Sequence, residues 1–409
     1  MVKPEEQAVM KEYELSQLCT KLVVGFVGTC EEFYTNGSSG VMMIRTGDIK
    51  GSYIDYSNVK YIDESFHTKN VKSQLKCGDI LIARHGSSGH GVIFDSNKPA
   101  NALNIVILRT DEKLLLSRYL VQLLDSPGIQ KQVAEASAGS TQNVINTSQI
   151  AKLLISIPEL SEQKEVVNVC EAVDSLIETL ERQISKKKAI KQGTMQELLT
   201  GKKRLPGFSG RWVSGKWKEV LDCFSSGATP YRGNPIFYKG QIKWVSSGEL
   251  NYNRIVDTLE HISPEAKEKA NLTLHPTGTF LMAITGLEAA GTRGSCAILG
   301  TPATTNQSCM AIYGTDKMST EYLFHYYVQH GDELAFQYCQ GTKQQSYTAA
   351  IVKELPIYYP EDMEEQRAIA SVLTSMDAEI QTLQQKLEKY RQLKQGMMQQ
   401  LLTGKIRLV

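Results

Sequence analysis

The 409 residues leave room for two or three domains, each large enough to bury a core. With 45 Lys and Arg against 44 Asp and Glu, the formal charge is only +1, so bulk electrostatics announce no polyanion partner and any basic surface must be local. The eight cysteines, at 19, 30, 77, 170, 223, 296, 309 and 339, form no CxxC pair and no metal-ligand spacing, which argues against structural zinc and fits reduced thiols. The opening stretch is polar, and no run approaches the ~18 apolar residues of a membrane span. The expectation is a soluble, cytoplasmic chain with no membrane partner.

Residues 1–157 hold short apolar runs punctuated by Gly, Asn and Ser turns. Ile44-Arg45-Thr46-Gly47-Asp48-Ile49 and the strand-like Gly78-Asp79-Ile80-Leu81-Ile82-Ala83 precede a helical stretch near Leu114 to Leu124 and a turn at Gly139-Ser140-Thr141-Gln142. Residues 158–205 change character. Val166, Cys170, Val173, Ile177, Leu180 and Ile184 alternate spacings of four and three, which predicts a long helix with a coiled-coil seam. Pro158 precedes it, and Gly201 follows where a left-handed cap belongs, so the helix is expected to run about 36 residues, or roughly 54 Å.

Residues 206–359 and 360–409 repeat this plan. Val245 to Leu250, Gly278 to Ala283, a helical stretch near Glu321 to His330, and Gly341 to Gln344 parallel the four signals of the first stretch. Glu162 to Leu205 realigns without gaps on Glu365 to Leu408, with about 20 of 44 positions identical. Ile369, Leu373, Met376, Ile380, Leu383, Leu387 and Tyr390 form the second seam. Both helices open acidic and close basic, so an antiparallel pair sets each acidic start over the other's basic end. Gly193 and Gly396 fall at one position inside the two helices, where glycine costs about 1 kcal/mol against alanine. Their recurrence predicts a close backbone crossing.

The order of these parts, and above all their duplication, resembles the specificity subunits of type I restriction-modification systems. The resemblance rests on the Pro-x-x-x-Glu-Gln start at Pro158 to Gln163, looser at Pro360 to Gln366, and on the ending Lys-Gln-Gly-x-Met-Gln-x-Leu-Leu-Thr-Gly-Lys. It covers essentially the whole chain, although the usual opening strand and glycine turn of the first domain are poorly marked. It implies two target recognition domains that each read one half of a split double-stranded DNA site. It also implies paired helices that act as spacer and as docking surface for two methyltransferase subunits, with restriction subunits joining the complex. S-adenosylmethionine, ATP and magnesium would serve those partners, and this chain would carry no cofactor.

The chemistry missing from the sequence agrees with a non-catalytic role. No two prolines are adjacent, so the Asn/Asp-Pro-Pro-Tyr/Phe loop of aminomethyltransferases is absent. Gly210 to Lys216 continues with Trp217 where a Walker loop needs Ser or Thr. His85 and His90, like His325 and His330, lie five apart rather than at the four-residue spacing of a helical zinc pair.

Direct base readout needs Arg, Lys, Asn or Gln on loops that enter the major groove. The candidates after glycine turns are Arg84, His85, Gln142 and Asn143 in the first domain, and Tyr231, Arg232, Arg293, Lys343, Gln344 and Gln345 in the second. The expected architecture is two α+β domains separated by an antiparallel two-helix coiled coil with a pseudo-two-fold repeat. The rival reading is a scaffold with duplicated ligand- or protein-binding domains and no role on DNA.

Overall fold

A computed structural model of the chain describes residues 10–35, 40–83, 90–137, 146–287, 293–339 and 345–408. The chain divides into two compact units. The first takes residues 1–181 and 385–409, and the second takes 182–384. These units cut across the four segments 1–157, 158–205, 206–359 and 360–409, because each takes half of each long helix.

In the first unit, a four-stranded antiparallel sheet runs in the order Cys19–Val24, Ile105–Thr110, Ile80–Ala83 and Gly91–Ile93. A smaller sheet sets Val41–Arg45 antiparallel to Lys60–Ile62 and parallel to Ala100–Leu103. The second unit repeats both. Its larger sheet runs Asp222–Ser226, Cys309–Tyr313, Phe280–Ala283, Cys296–Leu299 and Asn253–Ile255, and its smaller one sets Ile242–Val245 between Glu260–Ile262 and Thr304–Thr305. Gly78 and Gly278 take φ of +91° and +84°, a turn that glycine adopts without steric cost just before the equivalent strands. A second glycine pair marks close approaches. A Cβ on Gly25 would lie 2.3 Å from the Ala102 carbonyl oxygen, and one on Gly227 would lie 1.8 Å from that of Thr305.

The expected helical stretches form as Ser117–Leu124 and Thr320–Tyr338. The second core gathers Trp217, Phe280 and Tyr327, with Trp217 edge-on to the other two at 6.4 and 5.7 Å between ring centres. The end of one long helix enters this core through Met195, Leu198 and Leu199, and the start of the other through Ile369 and Leu373. In the first unit Val166, Val167 and Cys170 meet Met398, Leu401 and Leu402.

The two long helices are α1, Leu160–Leu198, and α2, Met363–Leu401, of 39 residues each. Gly201 and Gly404 both follow with φ of +69°, the left-handed cap. Ion pairs fix the direction of pairing inside each unit. In the first unit Glu162 meets Arg407, Asp174 meets Lys394 at 2.7 Å, and Glu181 meets Arg391 at 2.7 Å. In the second, Lys187 meets Glu379 at 2.6 Å, Lys191 meets Asp377 at 2.5 Å, and Arg204 meets Glu365 at 2.5 Å. As one number rises the other falls, so the halves of α1 and α2 that share a unit lie antiparallel.

One expectation is corrected. A Cβ built on Gly193 or on Gly396 meets nothing within 4 Å. Both glycines sit on the outer side of their helices, and among the described residues no backbone crossing accounts for them.

Candidate nucleic-acid interface

The first loop after an edge strand of the second unit carries Tyr231 and Arg232. The close approach at Gly227 starts this loop. It is then pinned by the Trp244 indole, whose Nε1 donates to the Ala228 carbonyl at 3.0 Å, and by the Tyr238 hydroxyl, which donates to that of Pro230 at 2.6 Å. Arg232 holds Glu260 through two nitrogens, at 2.5 and 2.8 Å, and its guanidinium carbon lies 4.4 Å from the centre of the Tyr238 ring and 5.2 Å from that of Trp244. The Arg232 hydrogen bond holds the Glu260 carboxyl below the usual carboxylate range. The guanidinium is thus a braced cation. Tyr231 beside it is 75% exposed, with its ring over Gly233. An exposed ring next to a fixed positive charge suits base stacking and phosphate contact.

Arg293 and Gln345 form a second locus. Arg293 Nε donates to the Leu287 carbonyl at 3.1 Å, and the Leu287 N–H donates to the Gln345 carbonyl at 3.3 Å. The Arg293 guanidinium lies 5.4 Å from the ring centre of the exposed Phe336. The structure therefore brings Arg293 and Gln345 together, and separately Tyr231 and Arg232. Arg84, His85, Gln142, Asn143, Lys343 and Gln344 lie outside the described residues.

Sequence reasoning missed Glu260, Tyr238 and Trp244, whose part is to brace Arg232. The exposed Leu259 next to Glu260 was missed as well. In the first unit it missed the Gly25 loop with its exposed Val27, although Gly25 and Gly227 stand at equivalent places. That recurrence was the available signal.

The described histidines are packing groups or surface partners. Burial pushes the His325 imidazole down to about 3, and its Nε2 lies 2.9 Å from Thr374 Oγ1. His90 Nδ1 lies 2.7 Å from Asp125. Among the described residues no group of three or more His, Cys, Asp or Glu side chains could hold a metal ion, and no helix is long and apolar enough to cross a membrane.

Two copies of one α+β fold, each carried on the halves of two long helices and each edged by loops, define a duplicated recognition scaffold. The family profile of the type I restriction modification DNA specificity domain matches it twice, over residues 10–188 and 210–390, and the chain belongs to that family. Its function is that of the sequence-specific DNA-binding specificity subunit, which sets aside the scaffold without a DNA role.

Among curated relatives, the putative type I restriction enzyme MjaX specificity subunit of Methanocaldococcus jannaschii is 25% identical over 386 residues, covering 90% of this chain and 88% of the relative. The MjaVIII specificity subunit of the same organism is 24% identical over 398 residues, covering 92% and 91%. Among solved structures, the type I S subunit from M. genitalium gives a TM-score of 0.61 at 12% identity, covering 98% of each chain. A chain from a study of complex assembly and conformational transition of a type I system gives 0.54 at 15%, covering 96% of this chain and 97% of that one. At such identities these two likenesses speak for the fold alone.

Proposed function

We propose that the chain selects an asymmetric, bipartite site on double-stranded DNA. Residues 1–157 and 206–359 act as the two target recognition domains, one for each half-site. The helices of 158–205 and 360–409 act as spacer and as docking surface for two adenine-N6 methyltransferase subunits, with restriction subunits completing the complex. The complex methylates and cuts, while this chain supplies the address and holds no cofactor of its own. S-adenosylmethionine, ATP and magnesium serve the partners, and the assembly works in the cytoplasm.

The observation that carries this reading is the duplication itself. The residues common to both copies hold the frame, whereas Tyr231 and Arg232, four and five residues after Gly227, stand where the first copy has Thr29 and Cys30 after Gly25. Two frames with different loops read two different sequences. Arg84, His85, Gln142 and Asn143 are assigned to the first half-site. Tyr231, Arg293, Lys343, Gln344 and Gln345 are assigned to the second, with Arg232 contacting phosphate beside Tyr231.

The test is to map methylated bases across the genome of a host that expresses this chain with its methyltransferase partner. A split, asymmetric motif is expected, and replacing residues 206–359 with those of a relative should change one half of it. A continuous motif, or a change in both halves, would overturn the reading.

A further inference from the structure

We propose that Gln163 and Gln366 are positioning residues for site selection, each setting the pose of one recognition domain on its own long helix. The proposal rests on the reading that each domain serves one half-site. Gln163 is wholly buried. Its Oε1 accepts the Leu116 N–H at 2.9 Å, while its Nε2 donates to the carbonyls of Leu114 and Pro158, each at 2.9 Å. Gln366, equally buried, makes the same three bonds in the other unit. It accepts from the Ser319 N–H at 2.9 Å and donates to the carbonyls of Lys317 at 2.8 Å and Pro360 at 2.9 Å.

The partners are what give these amides their meaning. Leu114 to Leu116 and Lys317 to Ser319 are the turns that launch the domain helices Ser117–Leu124 and Thr320–Tyr338, which pack on the larger sheets. Pro158 and Pro360 stand just before α1 and α2. A planar amide that satisfies three bonds at once fixes orientation as well as distance, whereas an apolar side chain of similar volume fixes neither. The neighbouring glutamates point the other way, Glu162 to Arg407 and Glu365 to Arg204. In each Glu-Gln pair, one residue holds the helix partner and the other holds the domain.

Attachment does not depend on the amide. The ladder of Lys11–Glu14 with Leu154–Ile157, and that of Trp212–Lys216 with Pro356–Pro360, still tie each domain to the start of its helix. Loss of the amide therefore releases orientation without detaching the domain. Hydrogen bonds to base edges depend on exact placement, whereas phosphate contacts mainly position the protein and carry no sequence information.

The experiment is to express the full chain carrying Gln163→Met, or separately Gln366→Met, with the methyltransferase partner and to map methylation genome-wide. Each substitution is expected to lower discrimination against single mismatches by about tenfold in one half-site only, a different half for each, and to leave total DNA affinity within about twofold. Gln163→Glu turns a carboxylate oxygen toward the two carbonyls that the amide nitrogen served, so it should disturb the same half-site at least as strongly as Gln163→Met. Equal loss in both half-sites, an unchanged pattern in correctly folded variants, or failure of all three variants to fold would each overturn the proposal. If the unaltered chain marked no bipartite site, the reading of the two domains would fall and this inference with it. An intact motif insensitive to the substitutions would sink the inference alone.

Discussion

Arg204 grips Glu365 through Nε and one terminal nitrogen, each 2.5 Å from a carboxylate oxygen, and Glu365 is fully buried while doing so. The same two positions of the other repeat, Arg407 and Glu162, make the same fork in the other unit. Removing one member of such a pair strands a buried charge.

Arg204→Met should therefore destabilise the second unit by about 3 kcal/mol. Arg204→Met combined with Glu365→Met should recover much of that loss, because no lone carboxylate remains. Urea unfolding of the single and double variants measures both terms. Equal losses in the two would show that the fork contributes packing rather than charge pairing.

Gly193→Ala and Gly396→Ala should each stabilise the isolated chain by about 1 kcal/mol, since each new methyl group meets open space and alanine is the better helix former. Denaturant midpoints check this. A destabilised variant would place a neighbour where the structure has none.

His325 contributes to the pH dependence of the second unit, because burial lowers its imidazole and the nearby positive charges of Lys191 and Arg254 lower it further. The unfolded imidazole titrates near 6.5, the folded one near 3. The stability that His325 contributes is therefore complete above about pH 6.5. It falls at up to about 1.4 kcal/mol per pH unit as the pH drops, because only the unfolded chain takes up the proton, and the loss levels off near pH 3. His325→Gln should flatten this slope between pH 6 and 4 when unfolding midpoints are compared.

On DNA, Tyr231→Ala in the assembled complex should weaken binding to the cognate site about tenfold, the scale of one stacked base, with an unchanged melting temperature. Glu260→Gln, which loosens the Arg232 brace, should have a smaller effect. Equilibrium titration of a labelled duplex at fixed salt separates these outcomes. An unaffected Tyr231→Ala complex would move the contact to other loops.

Much of the frame was legible in the sequence because the duplication wrote it twice. The four-and-three seam, the prolines before α1 and α2, the capping glycines and the opposed charge gradients each have a local physical cause that the residues themselves display. Gln163 was hidden for the opposite reason. A glutamine after a glutamate looks like solvated surface, and its partners lie 47 and 49 residues away. Arg232 was visible as a loop cation, but its brace was not, since Glu260, Tyr238 and Trp244 reach it only through the fold. The cost of Gly193 and Gly396 could be read from propensity, yet the space around them could not.

The repeated forks also bear on how such a protein changes its target. Glu162 with Arg407 and Glu365 with Arg204, like Asp174 with Lys394 and Asp377 with Lys191, are one lock and one key, each present in both halves. A chain assembled from two copies of the first half would present Glu162 to Arg204 and Asp174 to Lys191, the same chemistry at the same stations. The joint is thus indifferent to which half it receives. Recombination can exchange the loops of either half like interchangeable type while the frame that holds them closes as before.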